Sequence, residues 1–264
     1  MKKIVLSLVV FSSLALAEDV TVDEKPLKAH SELGYVETNG NTNTKAFNLE
    51  INLKKEWTKE ILTFDFDGQY ATDHGVETKN KFVTELDYGY KLSPKLSLDY
   101  LIGYKSDKFS GFEYQFYTGP GVKYKAIDKK EHKLSLEANI LYSVDQYENV
   151  WADALGTQLS YPYDGVIRDH IIKQAYKDDY ASYRLKGIYD WQILDTLKFK
   201  QELSFRGSME KTNKYFVYSK SAINNKINSI FSAGISYKID YVNLPAEGKK
   251  KTDTTFAFNL ILDY

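Results

Sequence analysis

The sequence contains no cysteine and only two methionines in 264 residues. Without cysteine there is no disulfide framework, so an exported chain of this composition needs another means of holding itself together. Closed backbone hydrogen bonding in lipid is one such means. The scarcity of methionine fits a chain without a packed helical core. Beyond the first 17 residues no apolar run is long enough for a spanning helix, and the mean hydropathy of −0.45 agrees. Charge of one sign is also lacking. Lys and Arg total 35 against 36 Asp and Glu, a formal net charge of −1. That balance argues for no nucleic-acid partner and for no strongly charged one.

What is present begins with an export signal. Lys2 and Lys3 form a basic start, and Ile4 opens an apolar run broken only by Ser7, Ser12 and Ser13. Ala15-Leu16-Ala17 supplies small residues at the cleavage positions, and polar Glu18 follows. We therefore expect a cleaved signal peptide over 1–17, a periplasmic leader over 18–29 and a single domain over 30–264. Aromatic residues are abundant, with 22 Tyr and 14 Phe. They must either be buried against a second layer or face acyl chains.

Alternation decides between these. Side chains of a strand point to opposite faces with period two, so a lipid-facing barrel reads apolar outward and polar inward. In 47–57, Phe47, Leu49, Ile51, Leu53 and Trp57 share one face, while Asn48, Glu50, Asn52, Lys54 and Glu56 share the other. Leu62, Phe64, Phe66 and Tyr70 oppose Thr63, Asp65, Asp67 and Gln69. Similar rows follow through 82–90, 96–104, 112–124, 134–144, 183–191, 197–206, 231–241 and 256–264. The stretch 30–37 is short, and 214–224 carries aromatics on both parities, so its faces stay unassigned. Pro120 lies inside a predicted strand, where a bulge or bend between Gly119 and Gly121 is expected.

Connection lengths agree. Turns are predicted near Thr58, Ser93, Lys129, Asp195 and at Asn225-Lys226. Longer connections are predicted over 38–43, 72–80, 106–111, 146–178, 207–213 and 243–251. Short periplasmic turns and long external loops mark outer-membrane barrels. Aromatic placement is a further sign. Tyr70, Tyr104, Tyr142, Phe205 and Tyr241 fall toward one rim, and Trp57, Tyr90, Tyr124, Trp191 and Tyr264 toward the other, as interfacial girdles require. The expected fold is all-β, a transmembrane antiparallel β-barrel of about 12 strands in the outer membrane.

Two resemblances sharpen this. The last strand, with Phe256, Phe258, Leu260, Leu262 and the terminal aromatic Tyr264, resembles the assembly signal of outer-membrane proteins. That likeness implies recognition by the barrel-assembly machinery. Near the mature start, Glu32-Leu33-Gly34-Tyr35-Val36-Glu37-Thr38-Asn39-Gly40-Asn41-Thr42-Asn43-Thr44 resembles the opening of the YdiY-like family. Tyr104 to Asp107, then Phe109-Ser110-Gly111 and Gly119-Pro120-Gly121-Val122, are similar to that family's middle. The family comprises salt-stress-induced outer-membrane proteins of unknown function. The resemblance therefore implies location and fold, and no mechanism.

Candidate chemistry is sparse. His30, His74, His132 and His170 are spread over a strand start, an outer loop, an inner turn and the long outer loop, too far apart to serve as metal ligands together. His30-Ser31 are sequence neighbours, which sends the two side chains to opposite strand faces rather than into a catalytic dyad. No catalytic, cofactor-binding or metal residue is assigned, and no cofactor is expected. The inward rows instead carry both signs of charge. Asp65, Asp67, Glu85, Asp87 and Asp99 predict an acidic wall, and Arg184, Lys186, Lys198, Lys200 and Arg206 a basic wall facing it. The leading reading is a narrow hydrated passage lined by charge, or an envelope-maintenance barrel. The alternatives are a barrel closed by salt bridges that is structural or binds through its outer loops and, less favoured, an outer-membrane lipid-modifying enzyme. Partners are expected to be outer-membrane lipids and lipopolysaccharide. Lys249-Lys250-Lys251 in the last outer loop is open to two readings, a simply solvated loop, which is favoured, and contact with lipopolysaccharide phosphates. In the long loop, Asp145, Glu148, Asp153, Asp164 and Asp169 are read as solvated acids, since they lack the spacing of a calcium-binding loop.

Overall fold

The computed structural model describes residues 26–39, 43–159, 161 and 166–263. Ala15 and Ala17, the expected cleavage positions, and the terminal Tyr264 lie outside the described residues, as do Pro162, Tyr163 and Asp164 of the long loop.

Alternating sequence produces long strands with one face for lipid and one for the interior. In order these are β1 (Lys28–Thr38), β2 (Thr44–Glu56), β3 (Glu60–Asp73), β4 (Val76–Lys91), β5 (Leu96–Asp107), β6 (Phe112–Asp128) and β7 (His132–Tyr147). After these come β8 (Val150–Ala152), β9 (His170–Lys173), β10 (Tyr176–Gln192), β11 (Leu197–Ser208), β12 (Tyr215–Lys226), β13 (Phe231–Val242) and β14 (Thr252–Asp263). Twelve of them close into one antiparallel barrel. Each barrel strand pairs with the next in sequence, except that β10 follows β7 in the wall. The two short strands β8 and β9 form a separate ribbon in the long loop. Pairing of β1 with β14 closes the wall, from His30 opposite Asp263 to Leu33 opposite Leu260. A bond of 2.6 Å between His30 Nδ1 and Asp263 Oδ1 clasps this seam. Closure leaves no sheet edge for aggregation or for unpaired backbone in lipid.

The outward face is apolar. On β4 and β5, Phe82, Leu86, Tyr88, Leu98, Tyr100 and Ile102 are exposed, while Lys81, Asp87, Asp99 and Leu101 between them are buried. Phe256, Phe258, Leu260 and Leu262 of β14 are likewise exposed, and Ala257, Asn259 and Ile261 buried. Such a surface on one chain is stable in acyl chains and not in water. Toward the outer rim, ring stacking links Phe82, Tyr104 and Tyr114, each step 5.8 Å, and a second run links Tyr183, Phe205, Tyr215 and Tyr241.

Several local expectations change. The connection expected over 72–80 is a tight turn at His74 and Gly75, both with positive φ (49° and 82°), and the flanking strands run up to it. Gly75 takes that conformation freely, and the primed turn it permits suits strand twist. Asn225 and Lys226 belong to β12, and the turn is 227–230. No bulge occurs at Pro120. Tyr100–Pro120 and Leu101–Gly119 stay in register with β5, and the irregularities of β6 fall instead at Phe112/Tyr114 and Lys125/Ile127. The first of these turns Phe112, expected on the lipid face, into the interior, where it is 2% exposed. The faces of β12 are now assigned. Lys220 and Ala222 are buried inward, and Ile223 is exposed outward.

Candidate functional site

Inward parity brings side chains from all twelve strands into one lumen. Its cavity has a volume of about 1130 Å³. It opens among Pro26, Lys28, Lys95 and Asp263 at the periplasmic end and runs up to Gln115, Arg206 and Phe216. Asp65, Asp67, Glu85, Asp87, Arg184, Lys186, Lys198, Lys200 and Arg206 all border it. Asp99 does not. It is buried in the wall, where Asn139 Nδ2 donates to it at 2.7 Å.

The two opposed walls expected from sequence do not persist as a field, because most of their charges meet in pairs; Asp65 instead accepts from Asn52 Nδ2 at 2.6 Å, and Lys200 has no ion pair among the described residues. Arg184 on β10 crosses the lumen to Glu85 on β4 (Nη1 to Oε1, 3.0 Å) and reaches Glu137 on β7 at 3.2 Å. Lys186 is matched by Glu202 at 2.8 Å and Lys198 by Asp190 at 2.7 Å. Asp67 receives Lys238 at 2.6 Å, and Asp87 receives Lys123 at 2.7 Å. Lys220 joins Glu32 (3.0 Å) and Glu50 (2.6 Å), and Lys81 on β4 crosses to Asp240 on β13 at 2.5 Å. Arg206 lies 4.5 Å from the ring centres of both Tyr117 and Phe216. The physical reason is desolvation: charges turned inward away from bulk water are stable only when each meets an opposite charge or a donor.

Glycine admits one of these partners. A Cβ at Gly103 would come within 2.1 Å of the Tyr117 ring. The bare backbone lets that ring lie across β5, so that its hydroxyl donates to Glu85 at 2.6 Å.

Above the cavity the interior is filled. Phe112, Tyr147 and Tyr180 are buried, and Phe112 packs on Tyr147 with ring centres 4.6 Å apart. Lys214, 1% exposed, joins Asp145 (2.6 Å) and Asp178 (2.7 Å) and lies 4.1 Å from the Tyr180 ring centre. Gln115 and Tyr180 also donate to Asp145. Asp145 is therefore no solvated loop acid. It ends β7 inside the barrel, fully buried. A smaller space of about 280 Å³ lies among the outer connections, between Tyr147, Leu159, Tyr176 and Lys249. There, burial raises the pKa of Glu148 and lowers that of Lys249.

The histidines stay apart. His132 bonds Tyr189 Oη at 2.8 Å, His170 neighbours Asp169, and His74 sits in its turn. Among the described residues no group of three or more His, Asp or Glu could hold a metal ion. Lys81 reads as an inward charge from sequence; Lys214, Lys220 and Lys238, which carry much of the network with it, were not singled out. For Lys238 the signal was available, since it lies opposite in parity to the apolar row Phe231, Ile235 and Tyr237; Lys220 lies in the stretch with aromatics on both parities, which hid its face. Lys214 precedes its strand and gave no such signal.

Fold and lumen together define the class, a twelve-stranded barrel of the outer-membrane type. The chain belongs to the DUF481 family, described as proteins of unknown function, whose model matches residues 31–264. It is similar to the uncharacterized protein YdiY of Escherichia coli (strain K12), 23% identical over 241 residues, covering 89% of this chain and 82% of that protein. Among solved structures it is similar to the NanC porin (TM-score 0.45, 12% identity, 90% of this chain and 99% of that one). It is also similar to the translocator domain of the autotransporter NalP from Neisseria meningitidis (TM-score 0.47, 6% identity, 90% and 86%). At such scores the structural likeness carries nothing about what passes through this lumen.

Proposed function

We propose that this protein is an outer-membrane barrel that passes small solutes through a narrow, charge-lined lumen. The observation that carries this reading is the cavity of about 1130 Å³, open at the periplasmic end and bordered by charged side chains on every side. Twelve strands fall between small barrels filled by side chains and wide porins, a width that suits a narrow passage. The exposed apolar face, the aromatic rims and the sequence of the first 17 residues support the location. We read β14 with Tyr264 as the signal for the barrel-assembly machinery, and exposed Lys250 and Lys251 as the groups that meet lipopolysaccharide phosphates. On that reading Tyr264→Asp leaves export intact and lowers the membrane-inserted fraction. Normal insertion at low expression contradicts it.

A second reading, a closed structural barrel, is favoured by one specific feature: the filling of Phe112, Tyr147, Tyr180 and Lys214 above the cavity. Single-channel recording in planar bilayers separates the two. The channel reading predicts discrete current steps from heat-modifiable, folded protein, enlarged by Phe112→Ala. An absence of steps from both proteins leaves the closed barrel standing and rejects the channel.

A further inference from the structure

The lumen charges are not all used by the fold. Around the periplasmic mouth, Lys28, Lys54, Lys95, Lys125 and Lys200 border the cavity, and none has an acidic side chain at ion-pair distance among the described residues. They come from separate arcs of the wall. Lys28 and Lys54 are directly opposite each other on β1 and β2. Lys95 and Lys125 adjoin at β5 and β6, where the Lys125 N–H donates to the Lys95 carbonyl at 2.8 Å. Lys200 stands on β11 opposite Asp190, but that carboxylate is taken by Lys198 at 2.7 Å. Lys54 is half-buried, and it feels the negative charge of Glu56 as well as the positive charges of Lys125, Lys28 and Lys123.

Like charges set directly opposite each other on neighbouring strands repel. Elsewhere in the lumen like charges also stand opposite each other, as Arg184 and Arg206 or Lys220 and Lys238, but there Arg184, Lys220 and Lys238 are bridged to carboxylates, whereas Lys28 and Lys54 at the mouth are not. Low-dielectric walls focus the field of such a cluster into the opening, which raises the local concentration of anions. A ring of cationic side chains is also how pores favour anions over cations.

We infer that the periplasmic mouth is a binding vestibule for small polyanions, solutes bearing several carboxylate or phosphate groups, held by Lys54, Lys125 and Lys200 with Lys28 and Lys95. This deepens the channel reading and rests on it for the transport consequence. The lysines supply what such a ligand needs: several ammonium donors around one space, each hydrated until the anion arrives.

Calorimetry with inorganic tripolyphosphate, on the folded full-length mature barrel in neutral detergent, tests the inference. Saturable binding is expected, weakened about tenfold in the Lys54→Gln, Lys125→Gln, Lys200→Gln triple variant. The same charge change at the outer loop, Lys249→Gln, Lys250→Gln, Lys251→Gln, leaves affinity unchanged. Heat modifiability establishes that both variants fold. Equal affinity in the mouth variant, or an equal loss in the outer-loop variant, overturns the inference. Displacement of tripolyphosphate by phosphatidylglycerol in the micelle assigns the lysines to lipid headgroups and overturns it too. A competing occupant is the chain's own leader, which carries Glu18, Asp19, Asp23 and Glu24. Replacing these four by their amides leaves affinity unchanged if the vestibule serves solutes, and a marked rise in affinity overturns that. Binding without current steps rejects the channel and keeps the vestibule, whereas steps without binding do the reverse.

Discussion

At the outer end of the lumen Lys214 is sealed between two carboxylates, whereas at the periplasmic end Lys54, Lys125 and Lys200 face the cavity with no carboxylate at ion-pair distance among the described residues. Access to water separates the two regions. Lys214 is 1% exposed and Asp145 fully buried, so neither ion is stable without the other. At the mouth Lys28, Lys95 and Lys125 are exposed and Lys54 and Lys200 half-buried, so water and mobile ions reach the cluster and no partner is required for folding. An inward charge that the fold pairs is structural. One that the fold leaves unpaired is available to a ligand.

This contrast predicts a graded series of effects. The largest belongs to the outer end. Lys214→Met leaves Asp145 and Asp178 without their cation and costs about 3–5 kcal/mol. Urea unfolding of the protein refolded into lipid measures it, and a loss below about 1 kcal/mol would break the contrast at its strongest point. Next comes the pair that spans the lumen. A double-mutant cycle of Arg184→Gln and Glu85→Gln is expected to show coupling of about 1–3 kcal/mol. Additive single effects would mean that the bridge between β10 and β4 carries no energy. Gly103→Ala is expected to cost a similar or smaller amount, about 1–3 kcal/mol, since the new Cβ drives Tyr117 off its bond to Glu85. Retention of wild-type stability would show that the ring has room to move. The smallest effect belongs to the mouth. The Lys54→Gln, Lys125→Gln, Lys200→Gln variant is expected to stay within about 0.5 kcal/mol of wild type. A larger destabilisation would place these lysines in the structural network after all.

Much of the fold was legible in the sequence because alternation is a local property. Phe47 and Leu49 against Asn48 and Glu50 declare their faces within a few residues, and ten such rows with two weaker strands foretell a closed sheet. What failed was set by tertiary geometry. The turn at His74 was hidden because its flanking residues, Thr72 and Glu77, are as polar as a loop. Phe112 kept the parity of Tyr114 on paper, but an irregularity in β6 turned it inward. The lumen charges were legible one by one and not as pairs. Arg184 and Glu85 are 99 residues apart and are separated in the wall by three strands, so only barrel closure brings them together. The same closure turned two expected walls into bridges, and it left the mouth lysines as the unmatched remainder.

The central claim is that charge unpaired by the fold governs what enters. Zero-current potential across a KCl gradient, recorded from single channels of the wild type and of the Lys54→Gln, Lys125→Gln, Lys200→Gln variant, tests it most directly. The account predicts an anion-preferring wild type and a variant shifted toward cations, with step size little changed. The same potential in both proteins, or a wild type that prefers cations, would contradict it.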